Sequence, residues 1–369
     1  MKVRVLMFVY NHERFIAQAL EGVLMQETSF DWDVVVLEDC STDGTRAILE
    51  SFKQRYPDKL HLVLAPENKC DNAAFMAAFE EAPSEYVAWI DGDDYWTSPH
   101  KLQRQVDFLD AHPECSLCFH NVQVVYEYAN MESHTSNPAD QKVVSTLEDL
   151  LEYNLIPGCS PMFRKRLVPK LPAWYQDAVW GDWPLYILFA LKGGLGYVNE
   201  VMGVYRVHQG GYWSGLSPTR KIETIIAFFK NINACLNYRY NHMIQPRLSK
   251  WHLQLALERS HVPYDAPVIV AKVGDNQPVY WGSRLVYSLI SATNSTQMTG
   301  RPTSGLHAIA QLEQLQAQGN SLLLFPYTAF WWLDYYTDFQ HYLVTRHHCI
   351  YQDEYCMICH LAQAQEGVV

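Results

Sequence analysis

The first 95 residues alternate between short apolar runs and segments of helical periodicity, and this alternation constrains the fold more than any other feature of the sequence. The apolar runs have the length and β-branched composition of buried strands, and apolar residues between them recur at helical spacing. This alternation is typical of a parallel sheet covered by helices. The predicted strands are Val3–Val9, Trp32–Leu37, Leu60–Ala65 and Tyr86–Ile90.

Polar residues follow three of these predicted strands. Ligands of parallel sheets bind at the carboxyl ends of the strands, so these polar residues should share one edge of the sheet. They are Tyr10-Asn11 after the first strand, Glu38-Asp39 after the second and Asp91-Gly92-Asp93-Asp94 after the fourth.

The acidic strand end has two explanations. In an extended backbone, Asp91 and Asp93 point to one side and Asp94 to the other, and Gly92 is expected to leave room for a bound molecule. Two convergent carboxylates suit a hard cation such as Mg²⁺ or Mn²⁺, which shares its oxygen ligands with substrate phosphates. Taken alone, the same residues also fit an acidic turn that closes a strand.

The composition is that of a globular protein with packed cores and two domains: 369 residues, 49% hydrophobic and 18% charged. A net charge of −12 without a dense Lys/Arg run argues against a nucleic-acid partner. The first apolar run is too short for a secretory signal, and no stretch reaches the length of a membrane span. We therefore expect a cytoplasmic protein without a transmembrane segment.

Three ordered segments carry a resemblance to a known family: residues 8–11, 37–45 and 89–94. They are similar to the signatures of family 2 glycosyltransferases with the GT-A fold, and the likeness covers about residues 1–215. The resemblance implies a Rossmann-like, mostly parallel sheet. It also implies transfer of a sugar from a nucleoside diphosphate sugar to an acceptor hydroxyl, with inversion. Two positions depart from the pattern: Phe8 stands where proline is common, and Glu38 where aspartate is common.

The resemblance also implies roles for individual residues. A divalent metal, Mn²⁺ or Mg²⁺, is expected at Asp93 with help from His208. The donor is expected to be a nucleotide sugar, with UDP-sugars first. The residues expected to bind the donor are Val9, Tyr10, Asn11, Glu13, Asp39, Asp91, Gly92 and Arg206.

Asp182 lies just before Trp183-Pro184 and an apolar helical segment. Alone, this position fits a helix N-cap, because proline is favoured in the first helical turn. By resemblance it corresponds to the carboxylate that takes the proton from the acceptor hydroxyl. A carboxylate fully committed to capping would have a lowered pKa and be a poorer base.

Other residues are expected on the acceptor side or near the diphosphate. By resemblance, Gly158, Trp180 and Trp183 lie beside the acceptor, which would be a carbohydrate or a lipid-linked molecule. Strand alternation places Arg206 and His208 on one face, as in the late basic pair of the family. The basic segment 164–166 fits either steering of a diphosphate or solvated charges before a helix.

The remaining sequence predicts two further parts. Residues 216–262 form a predicted helical extension. A peripheral contact of this extension with the inner face of the membrane is one alternative, and a pair of helices that covers a domain is the other. A plausible linker at 262–267 leads into a smaller α/β domain, 263–369, where the strand and helix pattern restarts. Its aromatic cluster fits either a core or a platform for sugar rings. The cluster comprises Trp331, Trp332, Tyr335 and Tyr336.

Two rival functions come from other classes. A non-catalytic carbohydrate-binding protein could keep the same fold, but the presence of Asp91, Asp93, Asp182 and His208 argues against it. A nucleotidyltransferase also uses carboxylates and Mg²⁺, but the Gly- and Lys-rich triphosphate loop expected for that class does not open this chain. The sequence therefore favours a glycosyltransferase.

Overall fold

A computed structural model describes residues 1–69, 71–127, 131–260, 263, 266–274, 279–281, 284–291 and 302–361. The chain divides into two units, Met1–Leu216 and Ser217–Val369. Nearly all of the predicted helical extension therefore belongs to the second unit. The predicted linker at 262–267 lies partly outside the described residues.

A ten-stranded sheet forms the centre of the first unit. Its strands are β1 (Val3–Val9), β2 (Trp32–Glu38), β3 (Leu60–Leu64), β4 (Tyr86–Asp91), β5 (Tyr95–Trp96), β6 (Cys115–Tyr126), β7 (His134–Thr135), β8 (Val144–Ser145), β9 (Met162–Arg164) and β10 (Gly194–Val207). The order is β3-β2-β1-β4-β9-β6-β10-β5, with β7 beside β6 and β8 beside β10. Strands β3, β2, β1 and β4 are mutually parallel, whereas β9 is antiparallel to β4 and β6.

Helices alternate with these strands. They are α1 (Ile16–Leu24), α2 (Thr45–Arg55), α3 (Ala73–Glu81), α4 (Lys101–Ala111), α5 (Leu147–Glu152) and α6 (Asp182–Ala190), with two 3₁₀ turns at Lys165–Leu167 and Ala173–Tyr175. Strands β1, β2 and β4 are buried along nearly their whole length, which is why their sequences read as continuous apolar runs.

Phe8, one of the two departures from the family pattern, belongs to this packing. Its ring centroid lies 5.4 Å from that of Phe75 on α3 and 5.0 Å from that of Trp89 on β4. An aromatic cluster between sheet and helix thus accommodates the residue that replaces proline.

The second unit is a smaller α/β fold, as predicted. Its helices are α7 (Pro218–Cys235), α8 (Asn241–Arg259), α9 (Gly305–Ala317), α10 (Trp331–Tyr335) and α11 (Thr337–Arg346). Its strands are β11 (Val268–Gly274), β12 (Val279–Trp281), β13 (Arg284–Ser291), β14 (Leu322–Pro326), β15 (His348–Gln352) and β16 (Cys356–His360). The order is β12-β13-β11-β14-β16-β15, and β13, β11 and β14 are parallel. No helix in the described ranges is long and apolar enough to cross a membrane.

Two segments differ from what their sequence pattern predicts. The pattern predicts separate strands at Gly196–Val201 and Gly203–Val207, but they form the single strand β10 with register shifts around Val201. The pattern also predicts one helix from Phe330 to Val344, but it is broken at Tyr336, whose backbone leaves the helical region with φ −105° and ψ 79°.

Candidate active site

Three strand ends meet at one edge of the first sheet. The parallel register pairs Val9 with Glu38 and Phe8 with Asp91, so the segments that follow β1, β2 and β4 emerge side by side. This is the arrangement expected from the strand pattern.

The loops after β1 and β2 are tied to each other by side-chain hydrogen bonds. Asn11 has a left-handed backbone with φ 54°, and its Oδ1 accepts a hydrogen bond from the Thr42 amide at 2.8 Å. The Asn11 amide donates to Ser41 Oγ at 2.9 Å, and the His12 amide donates to Thr45 Oγ1 at 2.9 Å. Although Asn11 and His12 precede the helical segment and are the residues that its sequence pattern predicts as the cap, helix α1 begins only at Ile16 and has no side-chain cap.

Two acidic side chains near this edge accept hydrogen bonds that stabilise the loop after β2. Glu13 accepts the Gly44 amide at 2.6 Å. Glu38 is 1% exposed and accepts hydrogen bonds from the Ser41 amide and from Arg46 of α2. The second departure from the family pattern therefore supports the loop after β2.

Other predicted donor-side groups remain accessible. Tyr10 is 42% exposed, and Asp39 is partly exposed, with Oδ1 accepting only a long 3.4 Å contact from the Lys69 amide among the described residues. The Val9 carbonyl, in contrast, accepts the Asp39 amide at 3.0 Å. Tyr10 and Asp39 thus form the open part of the edge.

Position 92 is closely packed within the protein. A Cβ there would lie 2.8 Å from Val9 Cγ2, 2.9 Å from His12 Nδ1 and 3.0 Å from the Phe8 carbonyl oxygen. Contacts with β1 and with the loop after it therefore explain the requirement for glycine. A role of Gly92 in donor binding stays a prediction.

Two histidines flank Asp93. His208 Nε2 lies 3.0 Å and His12 Nε2 3.7 Å from Asp93 Oδ2. Burial would raise the pKa of Asp93, but the His208 hydrogen bond and both histidine charges bring it below the ordinary value. Burial lowers the pKa of His12. His12 is a site residue that the sequence analysis did not identify, although its position shortly after the first strand end was a usable signal.

Arg206 shares the face of His208 but uses its donors inside the protein. Its guanidinium donates to the Asp93 carbonyl and to Gln18, and lies over the Tyr95 ring at 4.4 Å. Its amide donates to Asp94 Oδ1 at 2.8 Å. Arg206 is 7% exposed and holds the Asp93-Asp94 turn through these hydrogen bonds. This buried position gives no support to the expectation that Arg206 binds the donor directly.

Asp182 lies in the first turn of α6. Gly181, and not Asp182, occupies the N-cap, and no side chain caps this helix. Asp182 Oδ2 lies 3.4 Å from Asn154 Nδ2. Burial raises the pKa of Asp182 above its ordinary value, the direction that favours a general base at neutral pH.

Asp91 couples electrostatically to both other carboxylates. Burial, together with the charges of Asp93 and Asp182, raises the pKa of Asp91 to about 8. Its Oδ1 accepts a hydrogen bond from Trp89 Nε1 at 3.2 Å. Three carboxylates that repel one another in a partly buried region form a place where a cation would be stabilised.

The predicted acceptor-side residues adjoin these carboxylates. A Cβ on Gly158 would lie 3.4 Å from Asp91 Oδ2. The Trp180 ring stacks on Trp183 with centroids 5.8 Å apart and an interplanar angle of 18°. Trp213, which the sequence analysis did not single out, packs edge-on against Trp180 at 5.4 Å. The tryptophans thus form one aromatic cluster at the start of α6.

The basic segment 164–166 has no part in this site, so the diphosphate-steering alternative was wrong. Arg164 pairs with Tyr86 at the opposite end of β4 from Asp91. It is 5% exposed and donates to the Leu109 carbonyl at 2.7 Å. Lys165 donates to the Glu80 carbonyl at 2.9 Å.

The described residues around Asp93 supply only part of the ligand set of a metal ion. Within the described residues, no three His, Cys, Asp or Glu side chains could hold a metal ion on their own. Asp93 and His208 offer an oxygen and a nitrogen at hydrogen-bond distance from each other. Because Mg²⁺ and Mn²⁺ commonly take their remaining ligands from water and substrate phosphates, this pair fits a metal that arrives with a nucleotide.

Residues 4–170 match the sequence profile of glycosyl transferase family 2. A protein of Mycobacterium tuberculosis strain H37Rv without an assigned activity is 35% identical over 212 residues, which are 58% of this chain and 60% of that protein. The putative teichuronic acid biosynthesis glycosyltransferase TuaG of Bacillus subtilis strain 168 is 28% identical over 209 residues, covering 54% of this chain and 76% of that protein.

The crystal structure of S. aureus TarS residues 1–349 with UDP-GlcNAc superposes with a TM-score of 0.50 at 18% identity, covering 71% of this chain and 76% of that chain. At this identity the likeness concerns the fold alone. The matched region spans only three fifths of the mycobacterial relative, 60% of its length. The profile match and the arrangement of the first sheet agree with the resemblance found in the sequence: residues 4–170 are similar to glycosyl transferase family 2.

Proposed function

We propose that this protein transfers a sugar from a nucleoside diphosphate sugar to an acceptor hydroxyl. The observation that carries the proposal is the convergence of Asp91, Asp93 and Asp182, where burial, together with the charges of Asp93 and Asp182, raises the pKa of Asp91 to about 8. Perturbed carboxylates from separate elements are typical of catalytic sites. Here they come from the end of β4 and the start of α6.

The proposal includes a divalent cation, Mn²⁺ or Mg²⁺, held by Asp93 and His208. Such a cation neutralises charge on a diphosphate leaving group when it is bound. His12, 3.7 Å from Asp93, is a further nitrogen on the same side. Arg206 keeps the Asp93 backbone in place through its hydrogen bond to the Asp93 carbonyl.

Asp182 is the proposed general base. It would take the proton from the acceptor hydroxyl as that oxygen bonds to the anomeric carbon and the bond from this carbon to the diphosphate oxygen breaks. Attack from the face opposite the leaving group inverts the anomeric configuration. The raised pKa of Asp182 supports the role, because a base needs a pKa close to the working pH.

The donor is proposed to lie along Tyr10 and Asp39, the open part of the edge, with its ribose near Asp91. The TarS fragment named above was solved with UDP-GlcNAc, which makes UDP-sugars the first donors to test. Gly158, Trp180 and Trp183 are proposed to line the acceptor side, for a carbohydrate or lipid-linked acceptor. A cytoplasmic location with peripheral membrane contact completes the proposal.

Thermal unfolding in the presence of nucleotide sugars tests the proposal. A ligand that binds only the native state raises the unfolding temperature. We expect at least one UDP- or GDP-sugar to do so with Mn²⁺ present and to lose most of the effect in EDTA. Slow Mn²⁺-dependent release of the nucleoside diphosphate should accompany binding. Stabilisation by no nucleotide sugar would overturn the proposal, and stabilisation without any turnover would favour a non-catalytic binding protein.

A further inference from the structure

An exposed aromatic surface follows strand β14 in the second unit. Tyr327 is 37% exposed, Trp331 40% and Tyr335 63%. The rings of Trp331 and Tyr335 are in contact, with centroids 6.2 Å apart at an angle of 70°. We call these three residues the aromatic ridge.

The ridge packs on an aromatic core, and the Tyr335 ring lies edge-on to the Tyr336 ring with centroids 4.9 Å apart. Trp332 is 2% and Tyr336 6% exposed, and both pack in the core cluster with Phe339. The four aromatic residues that the sequence left undecided therefore divide into two pairs, each spaced by four residues. One pair holds the fold together, whereas Trp331 and Tyr335 are much more exposed, and large exposed apolar surfaces commonly mark binding sites.

The position of the ridge in the sheet is that of a ligand site. Strand β11 lies between β13 and β14, and these three strands are parallel. After β11 the chain forms β12 and β13 on one side of it, and it then crosses to form β14 on the other side. In open α/β sheets, ligands bind outside the carboxyl ends of the strands where the strand order reverses in this way. Here that point lies between β11 and β14. Tyr327 comes directly after Pro326, the last residue of β14.

The charges of the segment indicate the class of ligand. Residues 302–345 contain no lysine or arginine. The ridge itself is flanked by the exposed acidic residues Asp334 and Asp338. Phosphates, acidic lipids and other anions need cationic partners, and this segment offers none. Sugar rings, in contrast, are neutral and pair an apolar CH face with hydroxyl groups that carboxylates can accept from.

We propose that the aromatic ridge binds a neutral glycan chain, with Trp331 and Tyr335 stacking on its sugar rings. The choice of a glycan over another neutral ligand rests on the proposed function, because the first unit would then act on sugars. The ridge would hold a glycan by contacts that leave the transfer chemistry to the first unit.

Affinity electrophoresis of the full chain tests this proposal, with native gels that contain dextran, galactomannan or hydroxyethyl cellulose. We expect at least one of these polysaccharides to slow the wild-type protein. Trp331→Ala and Tyr335→Ala should each weaken the apparent affinity by about tenfold, because tryptophan and tyrosine dominate such contacts. Leu306→Ala is the matched control, since Leu306 is an apolar residue of the same unit with 70% exposure, and it should leave the retardation unchanged.

Three outcomes would overturn the proposal. These are no retardation by any of the three polysaccharides, equal retardation of wild type and both ridge variants, and loss of retardation in Leu306→Ala as well. Binding to neutral or acidic phospholipid vesicles, or self-association, that is lost only in the ridge variants would assign the ridge to a membrane or a second copy instead. Donor binding with Mn²⁺, measured on the same variants, separates this proposal from the proposed function: ridge variants should retain it.

Discussion

Both units present the carboxyl ends of parallel strands, yet they display different chemistry there. In the first unit, β4 ends in Asp91 and leads to Asp93, and the loop after β1 brings His12 beside Asp93. In the second unit, β14 leads to Tyr327 and Trp331. The α/β fold thus determines where a ligand binds, whereas the side chains at that place determine what the site can do.

The two places also differ in burial. In the first unit, burial and then the charges of Asp93 and Asp182 raise the pKa of Asp91, and burial raises the pKa of Asp182. Trp331 and Tyr335, in contrast, are exposed aromatic side chains. The first arrangement suits catalysis and the second suits recognition. The following predictions test that division.

The largest effect is expected for Asp182→Asn. The change removes the proposed base with little change in shape, so transfer should slow by about 10²- to 10⁴-fold while nucleotide-sugar affinity persists. A base acts only when deprotonated, so wild-type transfer should be lost as the pH falls through the pKa of Asp182. Because burial raises this pKa, the loss should begin at a higher pH than for an ordinary aspartate. Rates of transfer against pH provide the measurement.

Asn154→Leu sharpens this test. The Asn154 amide donates to Asp182 and lowers its pKa, so its removal should move the acid limb to still higher pH. The rate at high pH should be retained. A near-normal rate for Asp182→Asn would leave Asp182 without a catalytic role.

Asp93→Asn is expected to have the second-largest effect. It removes the negative charge that pairs with His208 and would bind the cation, and loss of one such electrostatic contribution typically costs about 10²- to 10³-fold in rate. Mn²⁺ should no longer strengthen nucleotide binding, as measured by calorimetry with and without Mn²⁺. Asp58→Asn, at an exposed position before β3, is the control. Unchanged Mn²⁺ dependence in Asp93→Asn would remove Asp93 from the metal site.

Much of the first unit could be predicted from its sequence because buried parallel strands give continuous apolar runs. The bounds of β1 match the prediction residue for residue, and those of β2 and β4 differ by one residue. The shared edge followed from the same pattern, because register in a parallel sheet brings the strand ends together. Strand β12 lacked such a signal, since Val279–Trp281 is only three residues long.

The hydrogen-bond partners of polar side chains could not be predicted from the sequence. Sequence alternation placed Arg206 and His208 on one face, but it did not reveal that Arg206 uses its donors on the Asp93 carbonyl and Gln18. Equally, nothing local shows that the loop after β1 fills the space beside Gly92. These outcomes depend on contacts between residues far apart in the chain, which periodicity does not encode.

Lys101→Met tests the buried layer that underlies the first site. Lys101 on α4 is fully buried over the Trp96 ring at 3.8 Å, and Nζ has no hydrogen-bond partner among the described residues. Burial lowers its pKa from 10.5 to about 7, so the unfolded chain binds more protons than the folded protein between these values. Stability should therefore rise from about pH 7 to 10.5, and Lys101→Met should abolish this rise.

At pH 7, Lys101→Met should stabilise the protein by about 1–4 kcal/mol, because an apolar side chain of similar volume replaces a poorly partnered buried amine. Lys59→Met is the matched control: Lys59 also lies over a tryptophan ring, Trp32 at 4.1 Å, but is exposed. Urea unfolding of both variants at several pH values provides the measurement. Destabilisation by Lys101→Met would mean that the contact with Trp96 outweighs the cost of burial.

The smallest effect is expected for Trp331→Ala, and its neighbour provides the contrast. Trp332 is 2% exposed in the core of the second unit, so Trp332→Ala should cost about 3–5 kcal/mol. Trp331 is 40% exposed, so Trp331→Ala should cost about 1 kcal/mol, the size of an ordinary substitution. Chemical denaturation of both variants measures the difference. If the two substitutions cost the same free energy of unfolding, Trp331 would be a core residue. The second unit would then lack the exposed recognition surface that we contrast with the carboxylates of the first unit.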